Sequence, residues 1–379
     1  MKKMILTYAL VIPVMSTIKA QGTAEEQNNT EVGVIDVQQA EQKVNPITFS
    51  GYAEAYYGFD FNQPSNNTRP GFVYSHNRHN EVNINLAFLK GSYVVDRTRA
   101  HVALGVGTYM NANYSAEPGV LKNIYEANAG VKISKKADLW IDAGLMSSHI
   151  GFESAHTPSC WTLTRSIIAD NSPYFESGAR LSYTSKNGQW YLAGLVLNGW
   201  QRIQRVDGNS TIGGGTQITF KPSGNVTLNY STFFGNDKPD SVHQTRIFQN
   251  VYGIFQVTEK FGIIADLDYG MEQKSKGSSD WNNWLGTALI LQYKPTKTTA
   301  IAVRGEYYTD EKGVIIATGT PNGFNTSGFS ANFDCYILNN VLWRIEGKLF
   351  NSEDAIFTDK GGAAANTSPV ATTSLSISF

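Results

Sequence analysis

The chain has 379 residues, of which 35 are glycine, 12% are aromatic and only 17% are charged. Charged content falls well below the roughly 25% of ordinary soluble domains, and a net charge of −1 argues against nucleic acid as a partner. No linker-like stretch divides residues 47–379, although such a length would otherwise suggest two or three soluble domains.

Lys2 and Lys3 precede an apolar run from Met4 to Met15, and Ala20 offers a small residue before Gln21. Residues 1–20 therefore read as a secretory signal peptide. The run is too short to span a bilayer as a helix. Residues 21–46 are polar and lack aromatics. Five acids (Glu25, Glu26, Glu31, Asp36 and Glu41) face one base, Lys43, a balance of −4. Such a composition suits a disordered periplasmic lead segment.

From Ile47 the period is two. Ile47, Phe49, Gly51, Ala53, Ala55, Tyr57, Phe59 and Phe61 alternate with Thr48, Ser50, Tyr52, Glu54, Tyr56, Gly58, Asp60 and Asn62. Sixteen alternating residues exceed a typical soluble strand and suit a tilted transmembrane strand that runs past the bilayer. Similar runs follow, and the gaps between them alternate strictly. Short gaps lie at Asp96-Arg-Thr, Lys135-Lys-Ala, Lys186-Asn-Gly, Pro222-Ser-Gly-Asn, Glu259-Lys, Pro295-Thr-Lys and Asn339-Asn340. Long polar gaps lie at 63–79, 111–123, 148–172, 201–210, 236–245, 273–282, 310–326 and 352–369. The pattern gives an all-β, antiparallel, up-and-down transmembrane barrel of about sixteen strands, with fourteen or eighteen as the alternatives. Short periplasmic turns and long extracellular loops are the usual asymmetry of such barrels.

Strand faces carry the same message. Ile301, Val303, Gly305 and Tyr307 oppose Ala302, Arg304, Glu306, Tyr308 and Asp310; Val341, Trp343, Ile345, Gly347 and Leu349 oppose Leu342, Arg344, Glu346, Lys348 and Phe350. Mid-strand charges on one register need water or partners, so the charged faces point to a wet lumen. Arginine at Val303 is then expected to be costly, and arginine at Ala302 tolerated. Tyr56, Tyr57, Phe59, Trp140, Trp190, Tyr293, Tyr307 and Trp343 are expected in the interfacial aromatic girdles. The last strand, Ala371–Phe379, alternates apolar and polar residues to the final Phe379. Open sheet edges in hydrocarbon are costly, so this strand must close the barrel on the first. An even strand count puts both termini on the periplasmic side. Cys160 and Cys335 have no metal-like spacing and read as two free thiols.

Residues 150–201 contain Ile150-Gly-Phe-Glu153, Trp161, Thr164-Arg-Ser166, Pro173-Tyr-Phe-Glu-Ser-Gly178 and Leu197-Asn-Gly-Trp200. In these pieces the chain resembles the β-barrel porins of the OmpL-like type, common in Bacteroidota; the opening strand ITFSGYAEAYY and the terminal Phe are similar too. The resemblance covers about residues 47–379 and implies an outer-membrane porin-like channel. It also implies recognition of the C-terminal strand by barrel assembly machinery.

The segment 148–172 carries His149, Glu153, His156, Cys160, Trp161, Arg165 and Asp170, with Glu176 and Arg180 on the next strand. It could fold inward and narrow the channel, or pack on the mouth or wall with its charges paired for structure. With Arg304, Glu306, Arg344 and Glu346, the charged members Glu153, Arg165, Asp170, Glu176 and Arg180 are the candidate pore-lining or constriction residues. Arg304 with Glu306 and Arg344 with Glu346 also read as pairs that stiffen the wall. Nine lumen-register acids (Glu54, Glu126, Asp142, Glu176, Asp266, Asp268, Glu306, Asp334, Glu346) face six bases (Lys132, Arg180, Arg246, Arg304, Arg344, Lys348), a slight lean toward cations. Asp266 and Asp268 share a face and could hold Ca²⁺ or simply repel across water. Residues 189–200, apolar on both registers, could contact the folded loop from inside. No cofactor is implied, and no GxSxG or HExxH motif occurs.

Three functions remain open at this point. The first is passive diffusion of small hydrophilic solutes. The second is a non-conducting barrel that binds partners through its surface loops. The third, remote, is a barrel-embedded hydrolase using His101 or His149. Membrane lipid is an expected partner throughout. The homotrimer common among porins has no subunit face marked in the sequence.

Overall fold

The computed structural model describes residues 46–379. The expected signal peptide, and the lead segment up to residue 45, lie outside the described residues. The chain forms β1 (Ile47–Asp60), β2 (Val82–Val95), β3 (Thr98–Val106), β4 (Ile124–Lys132), β5 (Asp138–Ser147), β6 (Phe175–Thr184), β7 (Trp190–Leu197) and β8 (Gly213–Ser223). It continues as β9 (Val226–Gly235), β10 (Arg246–Gln256), β11 (Phe261–Gln273), β12 (Trp281–Tyr293), β13 (Thr299–Asp310), β14 (Phe324–Leu338) and β15 (Val341–Ser352). A two-residue hairpin, β16 (Phe357–Thr358) with β17 (Ala364–Ala365), precedes the last strand, β18 (Thr367–Ser378). Two short helices, α1 (Thr108–Asn113) and α2 (Ile167–Asp170), lie in loops. No helix among the described residues is long and apolar enough to cross a membrane.

All strands but the small hairpin join one closed antiparallel barrel in which sequence neighbours pair and β18 meets both β15 and β1. Sixteen strands therefore close the sheet, as the alternation of gaps requires. At the seam Gly51 N–H donates to Phe379 O at 2.7 Å and Phe379 N–H donates to Gly51 O at 2.9 Å. No ladder edge is left for lipid to meet. Ile47 and Phe379 both lie at the end of the barrel that carries the short turns.

Those turns need few residues because antiparallel neighbours require only a reversal. Asp96 takes φ 49° between β2 and β3, and Gly188 takes φ 70° between β6 and β7, where a β-carbon would be strained. The opposite end carries eight long loops: L1 (61–81), L2 (107–123), L3 (148–174), L4 (198–212), L5 (236–245), L6 (274–280), L7 (311–323) and L8 (353–366).

The strand faces fall as the alternation requires. Ile301, Tyr307, Trp343, Ile345 and Leu349 are exposed outward, whereas Ala302, Arg304, Glu306, Arg344 and Glu346 are buried inside. On β18, Leu375 and Ile377 face out and Thr372, Ser374 and Ser376 face in. Two aromatics depart from the expected girdles. Tyr56 is buried in the interior, where its hydroxyl meets Thr108 of α1 at 3.2 Å. Trp140 shares the inward register of Lys132 and Ser182 and lies under the Arg99 guanidinium, 4.1 Å from ring centroid. A position near a strand end does not decide the face; the register does. Cys160 and Cys335 are both free thiols.

Candidate functional site

L3 leaves the rim after β5 and enters the barrel. Its first residues bind the β9–β10 wall. Ser231 donates to His149 O at 2.6 Å, His149 Nε2 meets Thr232 O at 2.8 Å, and Gly151 N–H donates to Asn250 at 3.2 Å. Glu176 receives the other side of the His149 ring, with Nδ1 at 2.8 Å. Burial alone would depress the His149 pKa; the Glu176 carboxylate and the Thr232 carbonyl outweigh it and raise the value above 6.5.

The loop then reaches the opposite arc. Thr157 donates to Glu54 of β1 at 2.7 Å, and β1 stands eight strands from β9 around the barrel. L3 therefore spans the full width of the lumen. Along β13–β15 it is held by charged groups. Glu346 accepts from Thr164 N–H at 2.6 Å and Thr164 Oγ1 at 2.7 Å, and Glu306 accepts from Ile167 N–H at 2.7 Å. Arg304 donates to Thr162 Oγ1 and Thr164 O, both at 2.8 Å; Arg344 donates to Thr157 O and Cys160 O at 2.9 and 3.0 Å; Lys348 donates to Arg165 O at 2.9 Å. Exposed loop carbonyls and amides in a narrow interior need such partners, and the wall charges supply them.

The loop is also bonded to itself. Arg165 donates to Ser154 O at 2.7 Å and Leu163 O at 2.8 Å; Glu153 accepts from Ser166 N–H at 3.0 Å and from its hydroxyl. Asp170, at the end of α2, accepts from Ser75 of L1 at 3.1 Å. Glu153, Arg165, Arg304, Glu306, Arg344 and Glu346 thus hold L3 along β13–β15, Glu176 anchors its start through His149, Asp170 ties its end to L1, and Arg180 lies apart, 3.4 Å from Asp142. The pairings differ from the sequence expectation. Arg304 pairs with Glu346 at 3.0 Å and stands 3.7 Å from Glu306; Glu306 pairs with Lys348 at 2.7 Å, and Arg344 with Asp334 at 2.7 Å.

Apolar groups complete the filling. Ile150, Ile167 and Ile168 of L3 cluster with Leu195, Leu197, Phe233, Trp284 and Tyr308 of the wall and with Phe72, Ile316 and Phe357 of L1, L7 and L8. The doubly apolar β7 therefore does meet the inward-folded loop. Ala302 packs with Ile264 and Ile290 against Phe152 and Trp161, so arginine there would clash with L3, contrary to the sequence expectation. On the other side L2 also packs inward, Tyr109, Met110 and Tyr114 clustering with Tyr52, Leu86, Leu145 and Phe175. Toward the short-turn ends of β2–β6 the interior side chains of Lys90, Arg99, Lys132 and Arg180 are 27%, 26%, 29% and 23% exposed. Lys90 and Arg99 were absent from the sequence tally, although Arg99 lies two residues from His101 on the inward register.

Asp266 and Asp268 both accept from Asn250 Nδ2 at 2.7 Å. Among the described residues no group of three or more histidines, cysteines or carboxylates could hold a metal ion. His101 Nδ1 lies 3.0 Å from Ser92 Oγ, but the nearby acids bind elsewhere: Glu126 to Lys90 and Asn128, Asp142 to Arg99. The Ser–His contact therefore lacks the orienting acid of a triad.

Residues 46–379 match the family model described as "Putative beta-barrel porin-2, OmpL-like". No curated protein sequence matches the chain. Among solved structures, an anion-selective porin from Comamonas acidovorans aligns with TM-score 0.58 and 6% identity over 88% of this chain and 99% of its own. OmpT of Vibrio cholerae aligns with TM-score 0.57 and 9% identity, covering 89% and 99%. The outer-membrane channel DcaP of Acinetobacter baumannii aligns with TM-score 0.55 and 13% identity, covering 88% and 97%. Identities this low speak for the shared fold alone.

Proposed function

Since this chain belongs to the OmpL-like β-barrel porin family, we propose that it is an outer-membrane channel for passive diffusion of small hydrophilic solutes, with L3 as its constriction. One observation carries the reading: L3 is bonded to opposite arcs of a sixteen-strand barrel, whose bare lumen would be wide enough for an aqueous pore. The loop fills the β9–β15 side; on the β2–β6 side L2 packs against part of the wall, and the polar groups nearer the short turns keep contact with water. Solutes pass along that side. The long loops face the cell exterior, and the short turns, with Ile47 and Phe379, face the periplasm. Lipid covers the outer face, and the closing strand with its terminal Phe379 is the segment that the assembly machinery reads.

The cation lean expected from the strand charges depended on all nine acids meeting water. Glu54, Asp142, Glu176, Asp266, Asp268, Glu306, Asp334 and Glu346 are instead buried. The solvent-accessible bases Lys90, Arg99 and Arg180 outnumber their partners Glu126 and Asp142 three to two, and Lys132 with Asp138 marks the short-turn end. The proposed lean is therefore toward anions. Reversal potentials in a salt gradient test it: anion-favouring values are expected, cation-favouring values overturn the lean, and a silent bilayer overturns the channel.

The non-conducting alternative has one specific observation in its favour. Phe72, Ile316, Phe324, Phe350 and Phe357 knit L1, L7 and L8 to the wall above the filled half. On that reading the loops form a docking surface, and planar-bilayer recordings would contain no single-channel steps.

A further inference from the structure

Five arginines are buried among the described residues: Arg69, Arg165, Arg246, Arg304 and Arg344. Carboxylates or loop carbonyls engage the last four. Arg69 differs. It lies in L1, is 3% exposed, and neither its Nε nor its Nη2 has a hydrogen-bond partner. The carboxylates that act on it are Asp60, Asp170 and Glu346, and each is committed elsewhere. Asp60 binds Asn62 N–H and the Ser368 hydroxyl; Asp170 binds Ser75 and Tyr174; Glu346 binds Thr164 and Arg304. A buried cation with idle donors is costly, and an orphaned buried group of this kind marks a place for an ion, a water or a ligand.

The space beside it is present. Arg69 lines a cavity of about 350 Å³ between L1 and L8 at the long-loop end, within the range of small-molecule sites, roughly 300–1,000 Å³. The cavity wall adds a second cation, Lys360, exposed and without an ion pair among the described residues, the carboxylates of Asp60 and Asp359, and the polar side chains of Ser65, Asn66 and Thr358. Phe357 supplies an apolar face.

We propose that this cavity binds a small polyhydroxylated anion, a sugar acid or a sugar phosphate, at the mouth of the barrel. Arg69 and Lys360 take the acid group through charge-assisted hydrogen bonds. The hydroxyl, amide and carboxylate groups of Ser65, Asn66, Thr358 and Asp359 take the sugar hydroxyls, and Phe357 takes a C–H face of the ring. The site adjoins the L3 anchor through Asp170 and Glu346, and the proposal does not depend on conduction.

The test is titration calorimetry on the full chain, folded in lipid-free detergent micelles, with glucuronate, glucose 6-phosphate and neutral glucose as probes. Saturable binding of at least one anion is expected, with glucose bound far more weakly. Arg69→Gln should weaken the anion about tenfold or more, Arg69→Lys should retain part of the affinity, and the exposed Lys360→Gln should weaken it a few-fold. Folding of each variant is checked by its unheated gel mobility. If Arg69→Gln does not fold, Lys360→Gln decides alone. The proposal is overturned if neither anion binds, if glucose binds as well as the anions, or if the folded variants bind like wild type.

Discussion

Replacing Glu346 with alanine removes the acceptor for Thr164 N–H, Thr164 Oγ1 and Arg304 Nη2, at 2.6, 2.7 and 3.0 Å. The backbone ladder is untouched, so the barrel still closes. The loop segment 162–166 loses two bonds to the wall, and Arg304 loses its closest carboxylate, leaving Glu306 and Glu153 at 3.7 Å. Breaking one side of a buried ion pair costs about 3–5 kcal/mol. At about 1.4 kcal/mol per decade, that shifts the docking equilibrium of this segment by about two to three and a half decades toward release. Arg165, buried when the loop is docked, then becomes a trypsin site. Two assays read the change: single-channel recording, where conductance and open-state noise should rise, and trypsin cleavage after Arg165 in the folded barrel, which wild type should resist. Replacing Arg304 with methionine in the same chain removes two further bonds to the loop, at Thr162 Oγ1 and Thr164 O, and should release the segment further. Unchanged conductance together with unchanged trypsin resistance in the alanine variant would refute the reasoning.

His149 gives a pH dependence with a definite sign. Its pKa in the folded loop is raised above 6.5, so its contribution is fully present below the unfolded value and is lost as pH rises through the folded one. Loop docking should therefore be firmest in mild acid and loosen as pH climbs above about 6.5, measured by trypsin cleavage; His149→Asn should flatten the profile. Val303→Arg, near the middle of the lipid-facing register of β13, should cost about 2–4 kcal/mol in refolding equilibria. Gln217→Arg, on the inward register beside Asn229, should fold, and equal behaviour of the two would mean that the faces are misassigned. Deleting Phe379 removes two backbone bonds at the seam and should lower barrel stability by about 1–3 kcal/mol, seen as gel-shift melting at a lower temperature.

The barrel was legible because a two-residue period admits only two faces, and short turns alternating with long loops leave one way to order the strands. β13 and β15 gave their faces directly, since each places charges on one register and apolar residues on the other. Aromatic positions misled where rim and face were confused, as at Tyr56 and Trp140. Ala302 misled because a small residue on a wet register looks like open space; Trp161, arriving from L3, takes that space. Charge partners were the least legible part. Arg304 finds Glu346, 42 residues away, because three adjacent strands set their heights, whereas Glu306 is nearer in sequence but is taken by Lys348. Lys90 lies in β2, where a bulge opposite Glu54 and Ala55 breaks the alternation that would have marked its face. That L3 enters the lumen was one of two readings of its composition. Nothing local in residues 148–174 distinguishes a loop that binds the opposite wall from one that covers the mouth.

Passive diffusion requires a continuous aqueous lane beside L3. Liposome swelling with a graded series of neutral sugars measures that lane directly. The account predicts swelling rates that fall with sugar size and rise when Glu346 is alanine. Swelling no faster than in protein-free liposomes for every sugar, with the barrel folded and inserted, would contradict it.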